Sequence, residues 1–350
     1  MIVVTGSKRS GTSLWMQIVI AAGFPYIGRD FSKNWKDSIF DANPHGFYES
    51  LFRRGIYHIN NPNPQTGHFV PAIHSQLHAI KIFIPGLVRT DLSYLHRVIC
   101  SIRHFREYFY SLQRLDTMEQ NFYQQQEKQS KQNPKNPNID LSFEEIRNLR
   151  KNPLHPVIEW WQDNYLLIRD FSTRRYPFHC VAYDSILERP QEIIPKTLTW
   201  CFNGLPTDLR FFDENLHRET SLSKREHIKL DIDAACNVIQ TQSKTQKRNE
   251  LPDIDFPFKA DFEDLFETFY DCFYSQNANL SASLIEELNK CHDTLEPYIK
   301  NEIQKHQLYV AKILQERNIS PQQFESLREL REESDGEETS KDGSHYNGGD

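Results

Sequence analysis

Between Gly6 and Gly11 the chain carries Ser7, Lys8, Arg9 and Ser10, and Thr12 and Ser13 follow at once. Glycines bracketing such a turn let consecutive backbone N–H groups close around an anion, above all where the turn feeds a helix N-terminus. Lys8, Arg9, Ser10, Thr12 and Ser13 add charge and hydroxyl donors to that backbone. Metal-dependent phosphoryl transfer asks for more: a lysine directly after the second glycine, a Ser or Thr for Mg²⁺, and a strand ending in Asp for the same ion. Thr12 stands at the lysine position, and the apolar run that begins at His96 ends in Arg103. The loop reads as an anion site that lacks the equipment for γ-phosphate transfer.

The elements that must position this loop are legible around it. "MIVVTG" is a short apolar run ending at Gly6, and "TSLWMQIVIAAGF" brings Leu14, Ile18 and Ala21 or Ala22 to helical spacing, so strand, loop and helix follow one another. Leu77 to Pro85, His96 to His104 and Tyr176 to Leu187 are three further β-rich runs, each leading into a helical pattern. The alternation predicts an α/β fold, a P-loop-type parallel sheet flanked by helices, with ligands bound at the carboxyl ends of the strands. Residues 124–138, polar, lysine-rich and proline-punctuated, are read as a mobile insertion, and 243–253 as a second exposed loop. A sheet domain over residues 1–220 is expected, then a mostly helical extension over 221–331 and a disordered acidic tail over 332–350.

Composition narrows the class. The 350 residues are 38% hydrophobic and 12% aromatic, enough for a buried core, and the net charge of −7 excludes a general nucleic-acid binder, so any anion site is local. Six scattered cysteines without a C-x-x-C pair predict reduced, mostly buried thiols. The absence of a leader-like start and of a long apolar run predicts a cytoplasmic protein without a membrane span; the glycosylation patterns at Asn279 and Asn318 are then chance matches. His74, His78 and His104 show no metal-ligand spacing, and no metal is expected.

"GSKRSGTSL" resembles the 5′-phosphosulfate loop of the sulfotransferases, in which a basic residue precedes a Ser-Gly pair; Arg9 fills that place. "VICSIRHFREYFYSL" is similar to the family's 3′-phosphate motif, an arginine at a strand end and a serine eight residues later, here Arg103 and Ser111. The chemistry suits a phosphate, since a guanidinium presents a planar fork to its oxygens and a hydroxyl donates from the facing helix. "FHCVAYDSILERPQEIIPKTLTWCFNGLP" looks like the late strand and helix of the family, and "DANPHGFYE" like an Asn-Pro-x-Gly segment of bacterial sulfotransferase-like proteins. The resemblance covers roughly residues 1–220 and not the helical extension.

It implies 3′-phosphoadenosine 5′-phosphosulfate as donor, held by Lys8, Arg9, Ser10, Gly11, Thr12, Ser13, Arg103 and Ser111, and a hydroxyl or amine acceptor. The cytosolic members take a histidine base from the strand after the loop. Here "KIFIP" keeps Lys81 but puts Phe83 in the histidine's place. Carboxylate-based members take a glutamate from the segment after the first helix, which designates Glu49, with His45 and Asp41 as substitutes; Lys81 and Arg9 then complete the catalytic set. Acceptor pockets in this family are built from variable segments, here 34–74, the lysine-rich insertion and the helical extension, with Phe47, Tyr48, Tyr108 and Tyr110 as candidate linings; a carbohydrate or small molecule is the favoured acceptor. The rival readings are a divergent nucleotide kinase or NTPase and a non-catalytic nucleotide binder of the same fold.

Overall fold

The computed structural model describes residues 1–31, 40–64, 67, 69–76, 78–130, 143–203, 230–241, 250–275, 280–320 and 322–324. Five strands, β1 (Ile2–Thr5), β2 (Tyr26–Ile27), β3 (Ala79–Lys81), β4 (Arg97–Ile102) and β5 (Phe178–Ala182), form one all-parallel sheet in the order β2-β3-β1-β4-β5. The helices among the described residues are α1 (Thr12–Ala21), α2 (Ile84–Leu87), α3 (Phe105–Ser130), α4 (Phe143–Arg150), α5 (Pro156–Arg174), α6 (Tyr183–Glu188), α7 (Pro190–Asn203), α8 (Ile232–Asn237), α9 (Lys259–Tyr274) and α10 (Ala282–Glu316). The protein is thus α/β, with helices flanking the sheet and a helical C-terminal region.

Central β1, buried along its whole length, shows why it reads as a continuous apolar run: both faces of a covered parallel sheet must be apolar. Alternation sends Ile2 and Val4, with Ile99 and Val181, into a core completed by α1, α7 and α8. Met1 and Val3, with Ile80, Val98 and Cys100, enter the opposite core with Leu87 of α2 and Leu167 of α5. The register sets Val4 beside Lys81 and Thr5 beside Cys100, which brings the ends of β3, β1 and β4 to one edge.

The chain divides into two compact units, one comprising 1–30, 45–113 and 154–297, the other 31–44, 114–153 and 298–350. Helix α10 from Tyr298 onward belongs to the second; the first holds the sheet together with α8, α9 and the start of α10, so these helical segments cluster with the strands. Their seat is aromatic: Phe105 of α3 and Trp160 and Trp161 of α5 pack against Phe266 and Phe269 of α9 and Phe256 before it. In the second unit Asp116 pairs with Lys151 at 3.1 Å, and Arg317 with Glu145 at 2.9 Å.

Several expectations change in detail. Residues 124–130, expected in a mobile insertion, continue α3 as helix, because Gln, Glu and Lys are good helix formers and the prolines come only later. The run expected as strand over 77–85 is strand only over Ala79–Lys81; Pro85 falls in the first turn of α2, where its missing N–H costs nothing. Residues 131–138 of the insertion, 243–249 of the second loop, the boundary at 220 and the tail 332–350 lie outside the described residues. All six cysteines are free, Cys100, Cys201, Cys236 and Cys291 being buried. Among the described residues no helix is long and apolar enough to cross a membrane, and no His, Cys, Asp and Glu side chains gather as a metal-holding group.

Candidate functional site

In this strand order the chain leaves β1 toward β3 and β2 but leaves β4 toward β5. The carboxyl ends of β1 and β4 therefore flank a topological switch point, where open parallel sheets leave a crevice. The glycine loop follows β1 at that switch point. Gly6, Arg9 and Gly11 all have positive φ, at 155°, 62° and 97°. A Cβ on Gly11 would stand 2.4 Å from the Tyr183 ring, and one on Gly6 2.5 Å from the Ser101 carbonyl oxygen, so both glycines are required by contact as well as by dihedral. Two hydroxyls clamp the turn: Ser10 donates to the Ser7 carbonyl at 2.7 Å, and Ser101 of β4 to the Ser10 carbonyl at 2.6 Å. Helix α1 begins with no side-chain cap and no acid in its first turn, which leaves its positive end uncompensated by side chains. The buried Ser7 hydroxyl makes no hydrogen bond among the described residues.

At the end of β4, Arg103 is only 6% exposed, and its backbone carbonyl accepts from the Trp160 indole at 2.8 Å. Its Nη1 donates to the Arg9 carbonyl at 3.0 Å and to Ser111 Oγ at 3.2 Å, and its Nε to Glu107 Oε2 at 3.0 Å. The Tyr183 ring lies 4.4 Å from the guanidinium carbon. Arg9 Nε also donates to Ser111 Oγ, at 3.1 Å. With two N–H groups pointed at its oxygen, the Ser111 hydroxyl is left to donate its own proton elsewhere, and two guanidiniums stand within one hydroxyl's reach of each other. Burial, reinforced by neighbouring Asp184 and opposed by Arg103, pushes the Glu107 carboxyl up to about 7.

A second cluster forms at the end of β3. Lys81, 1% exposed, donates to the Phe47 carbonyl and to Ser13 Oγ at 3.3 Å, and its ammonium lies 3.1 Å from Glu49 Oε1. Burial lowers the lysine's pKa, Glu49 works against that, and Arg53 and Arg9 push it down further. Arg53 reaches the other Glu49 oxygen at 3.4 Å. The Glu49 backbone is fixed by an antiparallel bridge to Arg29, whose N–H donates to the Glu49 carbonyl at 3.0 Å. Phe83 offers only its ring, 5.3 Å from the ammonium.

Of the residues singled out in the sequence, Arg9, Ser10, Gly11, Arg103 and Ser111 meet at the β1–β4 crevice, and Ser13, Glu49 and Lys81 meet at the β3 end. Thr12 is buried at the start of α1, while Lys8 is exposed and close enough to Asp163 on α5 to oppose the upward push that burial and Glu159 give its carboxyl, to about 7. His45 is exposed, 3.3 Å from the Thr241 carbonyl, and Asp41 belongs to the second compact unit. Tyr108 and Phe47 are buried. His104 is buried against Glu267 at 2.8 Å. The sequence reading missed Ser7, Ser101, Glu107, Tyr183, Asp184 and Tyr270. Glu107 carried a signal, four residues after Arg103 on one helical face, and Tyr183 and Asp184 lie inside the quoted β5 motif. No family model, curated protein or solved structure matches the chain.

Proposed function

We propose that the chain moves a sulfuryl group from 3′-phosphoadenosine 5′-phosphosulfate to a hydroxyl or amine acceptor, without a metal ion. The observation that carries this reading is the meeting of Arg9, Arg103 and Ser111 at the carboxyl ends of β1 and β4, beside a loop built for an anion. A guanidinium and a serine proton suit the 3′-phosphate; the loop N–H groups and the free end of α1 suit the 5′-phosphosulfate. A kinase reading has less support, because Thr12 and Arg103 occupy the places where phosphoryl transfer wants a lysine and a metal-binding Asp.

In the transfer, the acceptor oxygen or nitrogen attacks sulfur, its proton passes to the Glu49 carboxylate, and the bond from sulfur to the bridging phosphate oxygen breaks. The leaving group is 3′-phosphoadenosine 5′-phosphate. Negative charge grows on the bridging and sulfuryl oxygens, and Lys81 and Arg9 are the cations that answer it. Glu49 and Lys81 are already in contact in the resting protein, so base and cation act as one unit. The test is calorimetry with 3′-phosphoadenosine 5′-phosphate and with ATP plus Mg²⁺. The bisphosphate is expected to bind and ATP to bind far more weakly; binding of ATP with Mg²⁺ alone would overturn the proposal in favour of a kinase or NTPase.

A further inference from the structure

Arg103 is held on its Nε edge by a chain of groups that the transfer chemistry does not use. Glu107 accepts from Nε at 3.0 Å and is itself in side-chain hydrogen-bond contact with Asp184. The Tyr270 hydroxyl of α9 donates to Asp184 Oδ2 at 2.7 Å. Tyr270 lies on one face of α9, since residues 263, 267, 270 and 274 are spaced four, three and four apart. That face meets the site's surroundings throughout: Glu263 with Arg106 at 2.7 Å, Glu267 with His104 at 2.8 Å, Tyr274 with Glu188 at 2.6 Å.

Two carboxyl groups in hydrogen-bond contact, one of them 4% exposed, favour a proton bound between them, because two bare carboxylates side by side repel and a hydrogen bond needs a donor. Arg103 is the cation facing the pair, and the neighbouring titratable groups are the neutral phenols of Tyr183 and Tyr274, whose ionisation the pair opposes, and of Tyr270, which donates to Asp184. With the proton in place the pair carries one negative charge against Arg103; without it, two.

We propose that Glu107, Asp184 and Tyr270 are positioning residues that set the charge standing against Arg103, so that α9 belongs to the anion site and the preference for a 3′-phosphate weakens when the shared proton leaves. This rests on the nucleotide reading above. The upward displacement of Glu107 puts the loss near neutral pH.

The experiment uses the full chain and measures the ratio of affinities for 3′-phosphoadenosine 5′-phosphate and adenosine 5′-phosphate between about pH 6.5 and 8.5. In the parent the ratio should fall on the order of tenfold, one proton being worth at most tenfold per pH unit. Asp184→Asn removes the second charge, and its ratio should stay level. Tyr270→Phe withdraws a hydrogen bond that favours the ionised pair, so its fall should move to higher pH. A level ratio in the parent, or an undiminished fall in Asp184→Asn, would overturn the proposal. Infrared spectra of the nucleotide-free protein supply the independent arm: a protonated-carboxyl band is expected near pH 6, titrating near neutrality and absent in both Asp184→Asn and Glu107→Gln. No such band in the parent overturns the relay. A titrating band in a protein that binds neither nucleotide sustains the carboxyl pair and removes only the donor reading.

Discussion

Lys81 and Glu49 form the pair on which the proposed chemistry turns, and each shapes what the other can do. A nearly dry ammonium favours its neutral form, and Glu49 at 3.1 Å holds the proton on it. Glu49→Gln keeps the shape but takes no proton, so bisphosphate binding measured by calorimetry should survive while turnover of labelled donor falls by ~10²–10⁴. Turnover at the parental rate would show that Glu49 is not the base. Arg103→Ala should weaken bisphosphate binding by about 1.5–3 kcal/mol for each charge-assisted bond lost, with adenosine 5′-phosphate little affected. A variant that still prefers the bisphosphate would show that Arg103 does not read the 3′-phosphate. Much of this site was legible because its parts are local: the loop residues are contiguous, and Ser111 follows Arg103 by eight residues across one strand-to-helix junction. Tyr270 was not legible, since it meets Asp184 across 86 residues of chain with no pattern between them.

At the scale of elements, the junction of β1 with α1 depends on how closely the end of β5 approaches it. Gly11→Ala asks for a side chain at φ 97° and sets its Cβ 2.4 Å from Tyr183, the ring that also covers Arg103. A left-handed non-glycine residue alone costs about 1–3 kcal/mol, and the clash adds to it. The expected outcome is a thermal midpoint lowered by several degrees together with weaker bisphosphate binding; an unchanged midpoint would mean that the loop adjusts freely. β1, β4 and β5 were legible as apolar runs because strands of a parallel sheet covered by helices bury mostly apolar side chains. The two-residue β2 was not, because two residues carry no period, and Tyr26 is exposed. The helical character of α9 was plain from its spacing, whereas its partners depend on packing with residues a hundred positions earlier.

Across the molecule, the unit that carries the sheet is completed by sequence far from it. Phe266, Phe269 and Tyr270 of α9 are buried, the phenylalanines against Trp160 and Trp161, and burying one such side chain stabilises by about 1.5–3 kcal/mol. Three of them rival the whole net stability of about 5–15 kcal/mol expected of a domain. A chain ending at residue 220 should therefore be insoluble or lack near-ultraviolet circular dichroism; a soluble, cooperatively melting fragment would show that α9 is dispensable. The same seat imposes an order on biosynthesis. The glycine loop is made long before the hydroxyl at residue 270 that completes the support of Arg103, so a nascent chain carries Arg9, Arg103 and Ser111 through about 160 residues of further elongation before the aromatic seat that steadies them can close.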